Sequence, residues 1–460
     1  MDNDVDEDFR RIEKKRIEVW ITLTHVCRRW RSVVFYSPRH LNLRLVCTFI
    51  TPARDTLAIW PPLPLIICNG YWDDPPALVK NTIAALRHND RVCQIDLGGF
   101  SQSQLEYIAN SALMQKPFPV LTDLRLHGPD IRSIPASFLG GTAPHLRSLR
   151  LSSTLFPGLR RLLLSTTHLV HLDLHISPLD IPPEAMAAIL SALTSLESHC
   201  IHFLSPLLML EPALESRRPP CSILPRLTKI EFNGPGEYLE EILARIDVPR
   251  LSRMYITFFD DTILDTPELF QFISRTPTLR ALEKAQIAFY EEAIIFKFSS
   301  QTSDFGGLRV EIPCTVSGWQ FSSFDQAWTS SLPPVPTLKD LYILEDRFDS
   351  PCWQDDVENT LWLDFLRSFV AVKNLYLPEE YVIRFAPVLQ ELVGGRTTEV
   401  LPTLENIFLE AFQPSGPLHE GIERFVAARR LMSQPVAVFL WDKGSKREER
   451  RQFDIDYEIW

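Results

Sequence analysis

One short pattern recurs along this chain and constrains its folding more than any other feature: a Pro or polar residue followed by L-x-x-L-x-L. The clearest copies are PVLTDLRLHG (Leu121, Leu124, Leu126), PHLRSLRLSS (Leu146, Leu149, Leu151) and THLVHLDLHI (Leu169, Leu172, Leu174). Weaker copies keep the apolar character: RVCQIDLGG from Arg91, TSLESHCIHF from Thr194, PRLTKIEFNG from Pro225 and PRLSRMYITF from Pro249. PTLKDLYILE from Pro336, AVKNLYLPEE from Ala371 and PTLENIFLEA from Pro402 continue the series. From Leu121 to Leu251 the first leucines are separated by 25, 23, 27, 31 and 24 residues. Between 258 and 336 the register blurs, and LRALEKAQIAF and GLRVEIP read as two degenerate units.

In L-x-L the two apolar side chains point to one face of a short strand and the residue between them to the other. The segments between copies carry helical signals. SQLEYIANSALMQ (Ser103 to Gln115) and PPEAMAAILSAL (Pro182 to Leu193) each place their apolar residues on one stripe, as do GEYLEEILARI and TPELFQFISRT. The last of these opens with Thr266 as an N-cap and Pro267 at the first helical position. Strand and helix therefore alternate at a period of roughly 20–30 residues, which is the signature of leucine-rich repeats. The expected fold is α/β: a repeat solenoid with a curved parallel sheet and helices on its convex side. Such arrays grow in one dimension, so 460 residues need not divide into several cores.

Composition narrows the function. The chain is 45% hydrophobic and 23% charged, as a folded water-soluble protein is, and its 36 Pro against 17 Gly favour short stiff connections. A formal net charge of −11 argues against generic nucleic-acid binding, which depends on neutralising phosphates. The eight cysteines are scattered without a C-x-x-C pair and read as reduced thiols. No apolar stretch follows the acidic first residues, so no secretory signal is expected, and Leu57 to Cys68 is too short and Pro-broken to span a bilayer. A cytoplasmic or nuclear protein is the expectation.

Before the repeats, residues 10–41 read as helix with one apolar stripe (Trp20, Leu23, Cys27, Trp30, Val34), flanked by Arg28, Arg29 and Arg31. Within it, THVCRRWRSVVFYSPR resembles the second half of an F-box, and with the repeats that follow the chain resembles fungal F-box proteins with leucine-rich repeats. That resemblance implies the substrate-recognition subunit of a cullin-type ubiquitin ligase, docking on a Skp-type adaptor through its helices and holding an unidentified protein substrate on its repeats. It implies Val26, Cys27, Trp30 and Val34 as buried or adaptor-facing positions, with Trp30 packing the helical domain together. The first half of the motif, a Leu-Pro followed by an apolar helix, is replaced by the charged run Asp2 to Glu18, so a truncated F-box with weakened adaptor binding is also expected. The alternative is a repeat scaffold without working adaptor binding. The expected segments are a charged stretch (1–18), a partial F-box (19–45), a connector and cap (46–90), the solenoid (91–412), and a terminal cap helix, strand and charged tail (413–460).

The middle residue of each L-x-L faces away from the core and lines the concave side: Asp96, Arg125, Arg150, Asp173, Cys200, Glu231, Tyr255, Tyr342, Tyr376 and Phe408. Charge dominates the first half of this row and aromatic rings the second. Aromatic side chains carry much of the energy at protein interfaces. Tyr255, Tyr342, Tyr376 and Phe408 are therefore the expected partner anchors, with Arg125 and Arg150 steering an acidic portion; the same rings could instead merely cover exposed sheet. His171, Asp173 and His175 alternate on one strand and His202 could approach them, but adjacent strand positions seldom converge on one ion. They read as a solvated polar face, with no metal and no cofactor expected. Phosphate loops, nucleophile elbows, zinc-protease motifs and dinucleotide fingerprints are absent, so no catalytic role is expected.

Overall fold

A computed structural model describes residues 22–36, 44–47, 53–59, 62–68, 76–97, 100–153, 155–177, 181–204, 221–259, 266–290, 293–300, 303–313, 337–345, 359–393, 399–410 and 417–441. Several of the L-x-x-L-x-L copies within them fold the same way. The first apolar residue closes a tight turn, as in Leu146 N–H to the Ala143 carbonyl (3.1 Å), Leu169 to Thr166 (3.1 Å), Leu196 to Leu193 (3.0 Å) and Leu404 to Leu401 (3.0 Å). The next residue joins the neighbouring copy: Arg147 N donates to Thr122 O at 2.7 Å, Val170 N to Arg147 O at 2.7 Å and Glu197 N to Val170 O at 2.8 Å. All three apolar positions are then enclosed, with Leu121, Leu146, Leu169, Leu227 and Leu251 at 0% exposure and Leu149, Leu151, Leu172 and Leu174 at 1% or less. Fully burying one such side chain is worth ~1.5–3 kcal/mol, so these copies are held by their own apolar triads, while in the copy from Thr194 the buried His199 takes the second position.

The chain divides into two compact units, one ending at Leu208 and one beginning at Met209, a division inside the segment read from sequence as one array. Both are mixed α/β with a mostly parallel sheet. In the first, helix α1 (Arg28–Tyr36) precedes β1 (Leu45–Cys47), α2 (Ala53–Ile59), β2 (Leu65–Cys68) and α3 (Pro76–Leu86). Then come β3 (Val92–Asp96), α4 (Gln102–Ala109), β4 (Asp123–Ile131), β5 (Ser148–Ser153), α5 (Leu159–Ser165), β6 (His171–Ile176), α6 (Pro183–Ala192) and β7 (Ser198–Phe203). The strands pair in chain order, every pair parallel. Residues 22–26 are helical, but the helix breaks at Cys27 before α1, so the expected single stripe is interrupted; Trp20 lies outside the described residues.

The second unit runs β8 (Ser222–Ile223), β9 (Lys229–Gly234), α7 (Gly236–Leu243), β10 (Ile246–Asp247), β11 (Arg253–Phe258), α8 (Pro267–Arg275) and a short turn of helix, α9 (Pro277–Arg280). It continues with β12 (Lys284–Phe289), β13 (Ala293–Ser300), β14 (Ser303–Pro313), β15 (Asp340–Glu345), α10 (Asn359–Arg367) and β16 (Asn374–Leu377). Last come α11 (Glu379–Glu391), β17 (Asn406–Glu410), α12 (Pro417–Leu431) and β18 (Ala437–Trp441). Its strand order is β9-β11-β14-β13-β12-β15-β16-β17-β18, while β8 and β10 form a separate parallel pair.

The stretch whose sequence register blurs is thus an antiparallel meander. β14 returns to lie parallel beside β11, and β12 lies parallel beside β15, with β13 antiparallel to both of its neighbours. The two units read from sequence as degenerate repeats supply β12 and β14, but β12, β13 and β14 succeed one another with no helix between them, and β12 pairs with β15 and β13 and not with β11.

Helix starts also differ from expectation in detail. Thr266 occupies the N-cap of α8 without a side-chain cap bond. The Glu240 carboxylate of α7 caps it instead, accepting from Glu268 N at 2.7 Å and Leu269 N at 2.9 Å. An anion at a helix N-terminus satisfies orphan N–H groups and meets the positive end of the dipole. This bond ties α7 to α8.

Candidate partner-binding face

Strand pairing fixes which outward residues become neighbours. In the first unit the register sets Asp96 beside Arg125, Arg125 beside Arg150, Arg150 beside Asp173 and Asp173 beside Cys200, the row expected from sequence. Its charges are mostly spent on each other. Arg150 Nε lies 2.9 Å from Asp173 Oδ2, and Arg125 lies 3.9 Å from Asp96. Arg125, with 41% of its side chain exposed, keeps more of its cation available to a partner than Arg150 does.

Two residues further along the same strands, Ser152, His175 and His202 form a second row. The His175 and His202 rings stack with centroids 4.6 Å apart, His175 Nε2 lies 3.3 Å from Asp173 Oδ1, and Cys200 Sγ lies 2.8 Å from His202 Nε2. Burial alone would raise the Asp173 carboxyl; the His175 contact and the charges of Arg150, His175 and His202 outweigh it and hold the group below its ordinary range. Sequence reasoning expected adjacent strand positions seldom to converge on one ion and read these residues as a solvated polar face. The ligand atoms of Asp173, His175 and His202 lie within 4.8 Å of one another. Cross-strand register supplies the convergence that spacing along one strand lacks. His171, at the start of β6, is exposed and takes no part.

In the second unit the outward row runs Glu231, Tyr255, Arg309, Lys297, Gln286, Tyr342, Tyr376, Phe408 and Phe439. Tyr255 is therefore separated from the other aromatics by the three polar rungs of the meander. Lys229 Nζ pairs with Glu231 at 2.8 Å and lies 5.5 Å from the centre of the Tyr255 ring. The last four residues form a continuous ladder. Tyr342 stacks on Tyr376 at 4.0 Å and 8°, Tyr376 on Phe408 at 4.4 Å and 7°, and Phe408 on Phe439 at 5.3 Å and 23°. Beside it Asn406 Nδ2 donates to Asn374 Oδ1 at 2.7 Å, and Asn374 Nδ2 to Asp340 Oδ1 at 2.6 Å, a polar ladder that holds the same strands in register.

Exposure rises along the aromatic ladder. Tyr342, with Lys284 Nζ 5.1 Å from its ring centre, is only 5% exposed, so it supports the ladder rather than anchoring a partner directly. Tyr376 and Phe408 are half-buried, and Phe439 is 47% exposed. Sequence reasoning assigned Phe439 to a terminal cap. PVAVFLW is apolar at nearly every position, so its alternation is masked; only pairing with β17 shows that Phe439 extends the row.

At the other end of the chain Val34 is buried, whereas Val26 (64%), Trp30 (49%), Val33 (53%) and Tyr36 (88%) are exposed, as is Cys27. Trp30, expected to pack the helical domain together, presents its ring at the surface. The helix break at Cys27 interrupts the stripe that would have enclosed it. Among the described residues no helix is long and apolar enough to cross a membrane. Compared with protein families and with curated protein sequences, the chain matches none.

Proposed function

We propose that this chain is a leucine-rich-repeat solenoid that binds a protein partner on the outward face of its sheet and carries no chemistry of its own. The observation that carries this reading is the ladder Tyr342, Tyr376, Phe408 and Phe439: four coplanar-stacked rings on the sheet face opposite the core, grading from buried to exposed. Rings held rigid by their neighbours lose little conformational entropy on binding and offer large apolar contact area, which is what interface anchors need. The recurring turn, backbone rung and buried apolar triad of these copies support the repeat assignment.

Within that reading we propose the substrate-recognition role in a cullin-type ubiquitin ligase, with a Skp-type adaptor bound near α1. Its support is the likeness of VCRRWR to the F-box and the exposed apolar row Val26, Trp30, Val33 and Tyr36, a surface of the kind a partner covers. The half-exposed Trp30 and the helix break favour the second reading, a scaffold without adaptor binding. A pull-down with purified Skp-type adaptor separates the two, comparing the native chain with a Trp30→Ala, Cys27→Asp variant. Binding that the variant abolishes supports the receptor; no binding by the native chain leaves the scaffold. For the ladder, Phe408→Ala with Phe439→Ala should weaken partner binding by roughly 30-fold or more, since a hot-spot residue is worth ~2 kcal/mol. Unchanged affinity would remove the ladder from the interface.

A further inference from the structure

The geometry of β6 and β7 points to a metal site on the first unit, independent of the partner-binding reading: we propose that Asp173, His175, His202 and Cys200 bind one zinc-class divalent ion. The four residues form a two-by-two block. Asp173 and Cys200 face each other across the strand pair, and His175 and His202 face each other two residues further on. Alternation places all four on the same sheet face, so a D-x-H and a C-x-H from adjacent parallel strands meet at one spot.

The donor chemistry is that of zinc: two imidazoles, a carboxylate and a thiol, in the number a tetrahedral site takes. The donors of Asp173, His175 and His202 already converge, while Cys200, which groups with His202 and Glu231, must swing toward the other two to complete the set. Donors at ~2.0–2.2 Å from a tetrahedral ion lie about 3.3–3.6 Å from each other. Asp173 Oδ1 and His175 Nε2 are 3.3 Å apart, already the length of such an edge. The donors of Asp173, His175 and His202 all fall within 4.8 Å. Cys200 Sγ and His202 Nε2, at 2.8 Å, are closer than a sulfur–nitrogen edge and must open by several tenths of an ångström. The two imidazoles are stacked at 22°, so one ring must turn about its outer χ angle to aim its lone pair at a shared ion. These are side-chain rotations about an unmoved backbone.

A second layer is already in place. Arg150 Nε holds Asp173 Oδ2 at 2.9 Å and leaves Oδ1 facing the imidazoles. Ligand carboxylates in metal sites are oriented by such outer partners. Asp173 and a Cys200 thiolate together cancel the two charges of the ion, and Arg150 remains as a single positive neighbour.

The test uses the purified full-length chain, stripped with a chelator and titrated with Zn2+ alone or Co2+ alone. The expected result is one equivalent bound, with tetrahedral cobalt absorption and a thiolate-to-cobalt band in the near ultraviolet. Cys200→Ser should lose that band, His175→Gln with His202→Gln should lose the bound equivalent, and His171→Ala should change neither. Far-UV circular dichroism checks that each variant folds. Less than stoichiometric binding by the native chain overturns the proposal. So does a thiolate band that survives Cys200→Ser, which settles the matter even where the double variant does not fold.

Discussion

Arg429 braces the turn at 401–404 that leads into β17, and removing its guanidinium should loosen that turn and the ladder rungs on β17 and β18. The side chain, on α12, is 0% exposed. Its Nη2 donates to the carbonyls of Leu401 (3.1 Å), Pro402 (3.4 Å) and Leu404 (3.2 Å), and its Nη1 to Gln434 Oε1 (3.0 Å). Those carbonyls belong to the turn that launches β17, in which Leu401 adopts φ +47°, a left-handed conformation costing a bulky residue ~1–3 kcal/mol. Arg429→Met keeps the aliphatic length and deletes the donors. Two of the three carbonyl bonds are fully buried; Leu401 O keeps the Leu404 N–H at 3.0 Å, so Leu404 O is the buried acceptor that loses this donor, at about 1–3 kcal/mol. Burial lowers the Arg429 pKa, which marks a desolvation penalty that the native side chain bears and methionine does not. The penalties partly cancel, leaving an expected loss of ~1–2 kcal/mol. Urea unfolding measures it, with Arg430→Met as the exposed neighbour control expected within about 0.5 kcal/mol of native. Hydrogen exchange should show faster opening across 401–410 and 437–441, the strands bearing Phe408 and Phe439. If Arg429→Met loses no more than Arg430→Met, the buried guanidinium is not what holds this turn.

Two further outcomes follow from the same physics. Gly307 in β14 has φ +139°, and a Cβ there would lie 1.9 Å from the Phe298 carbonyl oxygen, so Gly307→Ala should destabilise the second unit by more than ~1 kcal/mol in urea titration; an unaffected midpoint would mean the meander does not pack as described. Burial raises the Cys93 thiol pKa and leaves the residue 8% exposed, whereas Cys27 is exposed, so iodoacetamide at pH 8 should modify Cys27 in the native chain and Cys93 only on unfolding, read by peptide mass spectrometry.

How much of this molecule could be read beforehand depends on whether the signal lies along the chain or across it. The buried triads were legible because L-x-x-L-x-L specifies a turn and two inward strand positions without reference to any partner. The outward rows followed, because equal offsets in successive parallel strands must align; Arg125, Arg150 and Asp173 stand where counting places them. That reasoning fails where a strand's direction changes. AIIFKFSS and GLRVEIP keep the alternation of a repeat strand, and alternation is the same for parallel and antiparallel neighbours, so the meander and its reversed order stayed hidden. Gly306-Gly307 was the one local clue, since glycine inside a strand marks close backbone approach. The metal-type quartet shows the same limit from the other side. D-x-H and C-x-H are visible in the sequence as two unremarkable pairs, and only an in-register parallel pairing brings the donors of Asp173, His175 and His202 together and sets Cys200 beside His202. A single-residue slip of β7 would send Cys200 and His202 into the core and His199 outward. The same register that buries Leu174 against Ile201 is therefore what assembles the candidate site, and core packing enforces its geometry without any dedicated contact.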